Sequence, residues 1–288
     1  MRSKVYFCKD LSPEAVLAMY KRLGKTLTGN VAIKVHSGEE GNPNFLRPEF
    51  WKPVVEFVGG TIVECNTAYE GARNTTERHR KLIKAHGWSD LFPVDLLDAQ
   101  GPDLVLDIPD GKVIQKNFVG KDLVNYNAAL VLSHFKGHPM GGFGGAIKQL
   151  SIGFASSYGK AYIHGVGDPA KFWDRDQDQF LEAMADAAAS MVKYFGGNAV
   201  YINVMKNLSV DCDCVGAGAK LPCMSDVGML ISLDPVAIDQ ACVDLVYAST
   251  DPGKDALIER MESRHAIHTL ACAEAHSIGS REYELIGI

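Results

Sequence analysis

Short apolar segments with strand character alternate with longer amphipathic segments of helical periodicity along nearly the whole chain of 288 residues. This alternation is typical of α/β proteins, in which helices pack against a largely parallel sheet. The clearest strand pattern is the near-continuous apolar run 128–133, because a strand without polar alternation is covered on both faces. We therefore expect an α/β fold with mostly parallel sheets and flanking helices, arranged as two α/β lobes with a cleft between them.

Capping residues mark several of the predicted helix ends. Ser12 precedes a proline and an acidic residue, which predicts a helix start, and Gly24 predicts its end. An Ala-rich pattern over 177–195 predicts a long helix that ends at the glycines following it. Asp234 before a proline predicts the start of another helix.

The bulk composition limits the classes of partner. A hydrophobic fraction of 47% and a charged fraction of 22% are those of an ordinary globular protein. The formal net charge is -6 and the basic residues are scattered, so we expect no binding to nucleic acid or to a membrane. Neither a signal-peptide pattern nor a spanning apolar stretch is present, and the seven cysteines do not form a secreted disulfide pattern. A cytoplasmic location fits these features best.

The densest group of chemically active side chains is the segment 133–148, which combines two histidines, two lysines and five glycines. Gly137 and Pro139 disfavour a helix there, so we expect the two histidines to converge through a loop. Imidazoles at a strand end can bind a transition metal or act as acid and base, although a glycine-rich turn with solvated histidines is the alternative. The predicted catalytic residues are His134, Lys136, His138 and Lys148.

The glycines of the same segment favour close approach of a ligand to the backbone, and Gly144 and Gly145 are the predicted contacts. If a helix begins near Ala146, its first N–H groups would attract an anion with the help of Lys148. The segment matches neither the phosphate-binding loop of P-loop proteins nor the dinucleotide-binding glycine motif.

A second group consists of the cysteines Cys212, Cys214 and Cys223 in a loop that also contains acidic residues. Thiolates with carboxylates suit a soft or borderline metal ion, so we predict these three residues as metal ligands. Three cysteines are one fewer than an iron–sulfur cube requires, and a fourth ligand would have to be Asp, His or exogenous. Buried thiols with a packing role are the alternative.

A third group follows two further predicted strands and contains Lys34, His36 and Arg73. Side chains that follow neighbouring parallel strands line one crevice, so we predict that these residues bind a carboxylate or phosphate.

Taken together, these segments resemble the family known as domain of unknown function 362. The most specific part is Ser-His-Phe-Lys-Gly-His at 133–138 followed by Gly-Phe-Gly-Gly-Ala-Ile-Lys at 142–148. Further matching segments extend over essentially the whole chain: 31–36, 38–39, 46–48, 66–69, 71–73, 159–164, 211–214, 234–239, 268–270 and 279–285. We therefore treat residues 1–288 as a single family domain, with sub-lobes 1–126 and 127–288.

The resemblance carries implications of its own. Members of the family are often labelled iron–sulfur proteins because many contain a ferredoxin insertion after the segment that corresponds to 160–164. Here that region is short and the next cysteine is Cys212, so the label does not transfer to this chain. The resemblance also implies a distant kinship in fold to nickel-pincer lactate racemases, which use His and Lys residues between two α/β lobes.

The leading hypothesis is an enzyme that depends on a metal ion or metal-containing cofactor and acts on a small anionic, carboxylate-type molecule by redox or isomerase chemistry. Its partners would be that small molecule and, for redox chemistry, an electron partner. One alternative is a non-enzymatic carrier of a metal ion or iron–sulfur cluster. The other is a phosphate- or nucleotide-binding module that uses the loop 141–148.

Overall fold

An eight-stranded sheet forms the centre of the computed structural model, which describes residues 2–288. Its strands are β1 (Ser3–Cys8), β2 (Val31–Lys34), β3 (Thr61–Glu64), β4 (Val94–Leu96), β7 (Ala128–His134), β10 (Ala199–Met205), β11 (Gly228–Ser232) and β12 (Tyr283–Gly287). The order across the sheet is β12-β1-β11-β10-β7-β2-β3-β4. Among these strands only β11 runs against the others. The predicted α/β fold with a mostly parallel sheet is thus confirmed.

Helices and two small antiparallel ribbons complete the fold. The ribbons pair β5 (Leu104–Asp107) with β6 (Lys116–Val119), and β8 (Lys136–His138) with β9 (Gly142–Gly144). The helices are α1 (Pro13–Leu23), α2 (Pro48–Val58), α3 (Thr76–Ala85), α4 (Trp88–Leu91), α5 (Ala146–Lys148), α6 (Ser157–His164), α7 (Gln177–Phe195), α8 (Pro235–Ala248), α9 (Lys254–Glu262) and α10 (Ile267–Ala275). A π-helical turn, Gln149–Gly153, extends α5.

Strand β7 lies near the middle of the sheet and has apolar side chains on both faces. Ala129 and Val131 contact the core on one face, together with residues of α5, α7, α8 and α10. Leu130 and Leu132 contact the core on the other face, together with residues of α1 and α2. Successive side chains of a strand point to opposite faces, so an uninterrupted apolar run fits only this doubly covered position.

The predicted capping residues occupy the expected positions. The Ser12 hydroxyl accepts the amide of Ala15 at the start of α1, and Gly24 ends that helix with a left-handed φ of 70°. Asp234 accepts the first amides of α8, and Gly196 ends α7 with a φ of 55°. Local sequence therefore determines where these three helices begin or end.

The sheet brings together chain segments from both proposed sub-lobes. Lys34 of β2 pairs with Val131 of β7 on one side and with Val63 of β3 on the other. The carboxyl ends of β2, β3, β7 and β10 consequently lie along the same edge of the sheet, where open α/β sheets bind their ligands. The division near residue 126 stays a prediction. None of the helices among residues 2–288 combines the length and apolar character needed to cross a membrane.

Candidate functional site

A cavity of about 310 Å³ opens at the carboxyl edge of the parallel strands. Its chemically active lining comes from three of the sequence groups singled out above, which are far apart in the chain and meet here. These side chains are Lys34, His36, Arg73, His138, Lys148 and Cys214. The structure also places Lys160 and His164 of α6 in the wall. The three predicted groups therefore contribute to one composite site.

A buried carboxylate, that of Asp213, joins the cysteine loop to the histidine-rich segment. It lies 2.9 Å from His134 Nδ1 and 2.6 Å from Lys136 Nζ, and all three side chains are buried. Burial alone would raise the pKa of Asp213, but the adjoining His134 and Lys136 outweigh it and hold that pKa well below its usual range. The other ring nitrogen of His134 faces the carbonyl oxygen of Lys206. Each ring nitrogen of His134 thus faces an oxygen atom of the protein. His134 therefore holds the loop in place and offers no lone pair to the cavity.

The ring of His138 is held in one orientation by the glycine-rich turn that follows it. Its Nδ1 accepts the amides of Met140 (3.1 Å) and Gly141 (2.9 Å). A nitrogen that accepts hydrogen bonds carries no hydrogen, so in the neutral ring the hydrogen is on Nε2, which lies 3.7 Å from Cys214 Sγ. Burial lowers the pKa of His138 to about 4, which keeps the ring neutral near pH 7. His138 therefore presents an N–H donor to the thiol.

The two cysteines Cys212 and Cys214 form an asymmetric pair. Burial alone would raise the pKa of Cys212, but the hydrogen bond to Cys214 and the charges of Lys148 and Lys136 hold that pKa well below its usual range. The same hydrogen bond raises the pKa of Cys214. Lys148 Nζ lies 3.8 Å from Cys212 Sγ. The pair thus consists of one thiolate and one thiol, beside a lysine.

Two of the predicted anion-binding cations are already paired with carboxylates. Lys34 Nζ lies 2.6 Å from Glu64, whose other oxygen accepts the amide and hydroxyl of Ser37. Arg73 Nε lies 3.0 Å from Glu39. These pairs are almost wholly buried, so they shape the wall and leave little net charge there for a ligand.

Lys148 and Lys160 are the cavity lysines without a carboxylate partner within 4.0 Å among residues 2–288. Lys160 is buried and donates to the carbonyl of Ala155 at 2.6 Å. Burial lowers its pKa, with the nearby charge of Lys34 acting in the same direction. Lys160 is not among the predicted site residues, although it lies close to His164 in one of the segments that resemble the family.

His164 has the opposite hydrogen-bonding arrangement to His138. Its Nδ1 donates to the carbonyl of Lys160 at 2.7 Å, so in the neutral ring the lone pair is on Nε2. Burial lowers the pKa of His164 to about 3. The ring is stacked between Phe172 and Phe180, with centroid distances of 4.5 and 4.8 Å, which fixes its plane. The cavity wall therefore contains neutral histidines of both kinds, since His138 donates from Nε2 and His164 accepts there.

The backbone at 144–147, which the sequence predicts to contact an anion, contacts other parts of the protein instead. The amides of Ala146 and Ile147 donate to the buried carboxylate of Asp239 at 2.7 and 2.9 Å, so they are not free to bind an anion. Gly145 packs against the same carboxylate, where a Cβ atom would lie 2.3 Å from its Oδ1. Gly144 has the side chain of Lys148 next to it. These glycines allow close packing within the protein, and the main contribution of this turn to the cavity is Lys148.

The donor atoms of Cys212, Cys214 and His138 lie within 4.8 Å of one another, a set that fits a soft or borderline metal ion. The third predicted ligand, Cys223, is elsewhere: its thiol lies 3.4 Å from the carbonyl of Leu208. Two converging thiols with one imidazole suit a single ion better than a four-thiolate cluster. Because the hydrogen of His138 is on Nε2, the two cysteine sulfurs would bind the ion, Cys214 losing its proton on binding, and His138 would donate a hydrogen bond to a bound sulfur.

A second group of metal-ligand type lies away from the cavity, between α7 and α10. It consists of Glu182, His268 and Cys272, with their donor atoms within 4.8 Å of one another. Lys112 forms an ion pair with Glu182, so a cation there would have to displace an ammonium group. Any metal analysis of this protein must therefore distinguish the two groups.

Comparisons with known proteins give one family match and two partial structural similarities. A search of curated proteins found no match. Among solved structures, the lactate racemase apoprotein from Thermoanaerobacterium thermosaccharolyticum is similar with a TM-score of 0.49 and 14% identity, over 85% of this chain and 57% of that one. A structural-genomics protein from Thermotoga maritima has a TM-score of 0.43 and 11% identity, over 67% of this chain and 49% of that one. The chain thus spans about half the length of each. The family model described as "Domain of unknown function (DUF362)" matches residues 31–244, and the chain belongs to this family.

Proposed function

We propose that this protein is an enzyme that binds a small carboxylate-type anion in the cavity and moves a proton on it, with a soft or borderline metal ion held by Cys212 and Cys214. The observation that carries the proposal is a cavity lined by Cys214, by two lysines without carboxylate partners and by the neutral histidines His138 and His164, with the buried thiolate of Cys212 next to Lys148. The reaction class is an isomerisation or a redox step at the carbon next to the carboxylate.

The anion would be bound by Lys148 and Lys160, because Lys34 and Arg73 are paired with carboxylates. In a buried cavity an ammonium group without a counter-charge attracts an anion strongly, since water screens it little. The thiolate of Cys212 beside Lys148 limits the net positive charge, so a single negative charge suits the cavity better than a polyphosphate.

Proton transfer would use His164 and a lysine of the same cavity. His164 has an Nε2 lone pair that can accept a proton, and the ammonium group of Lys148 can return one. The neutral ring of His138 can donate a hydrogen bond from Nε2 but keeps its proton. A bound metal ion would supply Lewis-acid or redox chemistry to the same cavity.

The two alternative functions are less well supported. A carrier that releases its metal to a partner has little need of buried lysines around the thiols, yet Lys148 and Lys160 line this cavity. A nucleotide-binding module would need the amides at the start of α5, which Asp239 already accepts.

The test combines metal analysis with anion binding. Protein purified without oxygen and without a histidine tag is analysed for metal content and absorption, as wild type and as Cys212→Ser, Cys214→Ser and Cys272→Ser. We expect stoichiometric metal that is lost in the first two variants and retained in the third, where the thiol belongs to the second group.

Anion binding is measured on the same preparations by the shift in thermal unfolding with small carboxylates, because a ligand that binds the folded state raises its apparent stability. Lys148→Met should abolish the shift, and exposed Lys81→Met, which lies outside the cavity, should leave it unchanged. Metal that depends on Cys272 alone, together with no response to any carboxylate, would contradict the proposal.

A further inference from the structure

The cavity has a second wall whose chemistry the proposed function does not use. Opposite in character to the lysines and thiols, this apolar wall consists of Pro139, Met140, Ile152, Phe172, Trp173 and Val215. Most of the exposed lining of the cavity is apolar. A site for a very small, fully polar anion would have no use for such a wall, because the anion would keep its water and bury no apolar surface.

Trp173 is the most unusual member of the apolar wall, since 71% of its surface is exposed. The other two tryptophans, Trp51 and Trp88, are buried. A large aromatic side chain that is exposed at the mouth of a cavity can bury its ring against a bound ligand. Here the ring is at the cavity, which makes a ligand the appropriate partner.

A ladder of aromatic rings fixes the apolar wall to the core. Trp173 packs edge-on against Phe172 with a centroid distance of 4.5 Å, and Phe172 stacks on His164, which in turn stacks on Phe180. Phe172 and Phe180 are buried. The wall at Phe172 is therefore held in place before any ligand arrives, which reduces the entropy lost on binding.

We infer that the natural ligand is a carboxylate with an apolar, aromatic-sized tail, whose head contacts Lys148 and whose tail covers Trp173 and Phe172. This inference rests on the proposed function for the head group and adds the tail. The polar head fits the side of the cavity formed by Lys148, Lys160 and Cys214, and the tail fits the apolar wall. The cavity volume of about 310 Å³ is at the lower end of small-molecule sites, so the tail is compact.

The test uses three probes that separate head from tail: acetate, phenylacetate and benzyl alcohol. Binding to the full-length protein is measured by calorimetry and by the emission of Trp173, the exposed fluorophore of the three. We expect phenylacetate to bind at least about tenfold more tightly than acetate, since burying a ring removes a large apolar surface from water. It should also shift the emission to shorter wavelength and protect it from a soluble quencher.

Two variants make the result specific. Trp173→Ala should bring phenylacetate to within about threefold of acetate while leaving acetate binding unchanged, because only the tail contact is lost. Leu221→Ala removes an equally exposed apolar side chain that does not line the cavity, and it should retain the full preference. Both sites are at the surface, so both variants should fold, which circular dichroism checks.

The remaining outcomes distinguish this inference from the proposed function. Equal binding of acetate and phenylacetate, both weakened by Lys148→Met, would overturn the inference and leave the proposed anion site intact. Benzyl alcohol binding as tightly as phenylacetate would overturn the carboxylate head. Absence of binding by every probe would overturn the inference and the proposed function together.

Discussion

His134 Nδ1 lies 2.9 Å from Oδ1 of Asp213, although 79 positions separate the two residues in the sequence. This contact fixes the loop that carries both cysteines against the end of strand β7. Cys214 consequently lines the cavity, with Cys212 within 4.8 Å of it, although their loop has no regular secondary structure of its own. The positions of the two cysteine thiols therefore depend on the contacts of the Asp213 carboxylate with His134 and Lys136.

Replacing Asp213 with Asn should destabilise the protein severely. The amide keeps the shape but removes the charge, leaving Lys136 buried without a counter-charge and His134 without its carboxylate partner. Breaking a buried ion pair from one side typically costs about 3–5 kcal/mol. Denaturant unfolding measures the loss, and the double variant with Lys136→Met should recover part of it. A loss below about 1 kcal/mol would show that the pair is screened by water.

A methyl group at Gly137 should displace the cysteine loop. A Cβ atom there would lie 2.4 Å from the carbonyl oxygen of Val210, a backbone atom that cannot rotate away. We expect Gly137→Ala to lose bound metal and about 1–3 kcal/mol of stability through overpacking. The matched control is Gly141→Ala in the turn between β8 and β9, where the nearest atom would be 3.6 Å away. Equal metal content in the two variants would contradict the prediction.

Asp239→Asn should weaken the hydrogen bonds at the start of α5. Lys148, at the end of this short helix, should then be held less firmly at the cavity. The Asn amide group would place a donor against the amide of Ile147, which now donates to the Asp239 carboxylate at 2.9 Å. An unsatisfied buried donor costs about 1–3 kcal/mol. Chemical denaturation should show this loss, and calorimetry should show weaker carboxylate binding. Asp244→Asn, on the exposed side of the same helix, should change neither quantity appreciably.

The buried His79 should make stability depend on pH. Burial lowers its pKa to about 3, whereas an unfolded histidine titrates near 6.5. Between these values the unfolded state binds the extra proton, so the free energy of unfolding falls as pH falls, by roughly 1.4 kcal/mol per pH unit. His79→Gln should reduce this slope by roughly 1.4 kcal/mol per pH unit, the contribution of one proton, in unfolding experiments from about pH 6.5 to about pH 4.

Much of the fold was accessible from the sequence because its signals are local. The cap at Ser12, the left-handed Gly24 and the apolar run of β7 each specify a structure over a few neighbouring residues. The predicted groups around Lys34, His138 and Cys214 also share one cavity, since the carboxyl ends of parallel strands meet at one edge.

Long-range pairing was not accessible in the same way. Nothing near Ala146 indicates that Asp239 accepts its amide, and nothing near Cys223 indicates that its thiol is turned toward Leu208. Likewise, the sequence around Lys34 predicts a cation that is available to a ligand. In the structure, Glu64 of the next strand forms an ion pair with it. Contacts of this kind depend on the register of distant segments, which residue types alone do not define.

The position of β1 in the sheet has a consequence for biosynthesis. Val5 pairs with Ser232 of β11, and Ser3 pairs with Tyr283 of β12, so β1 emerges from the ribosome long before either of its neighbours exists. The segments that form β2, β3 and β7 can pair with one another much earlier. During translation β1 must therefore remain unpaired until the segments of β11 and β12 have been synthesised.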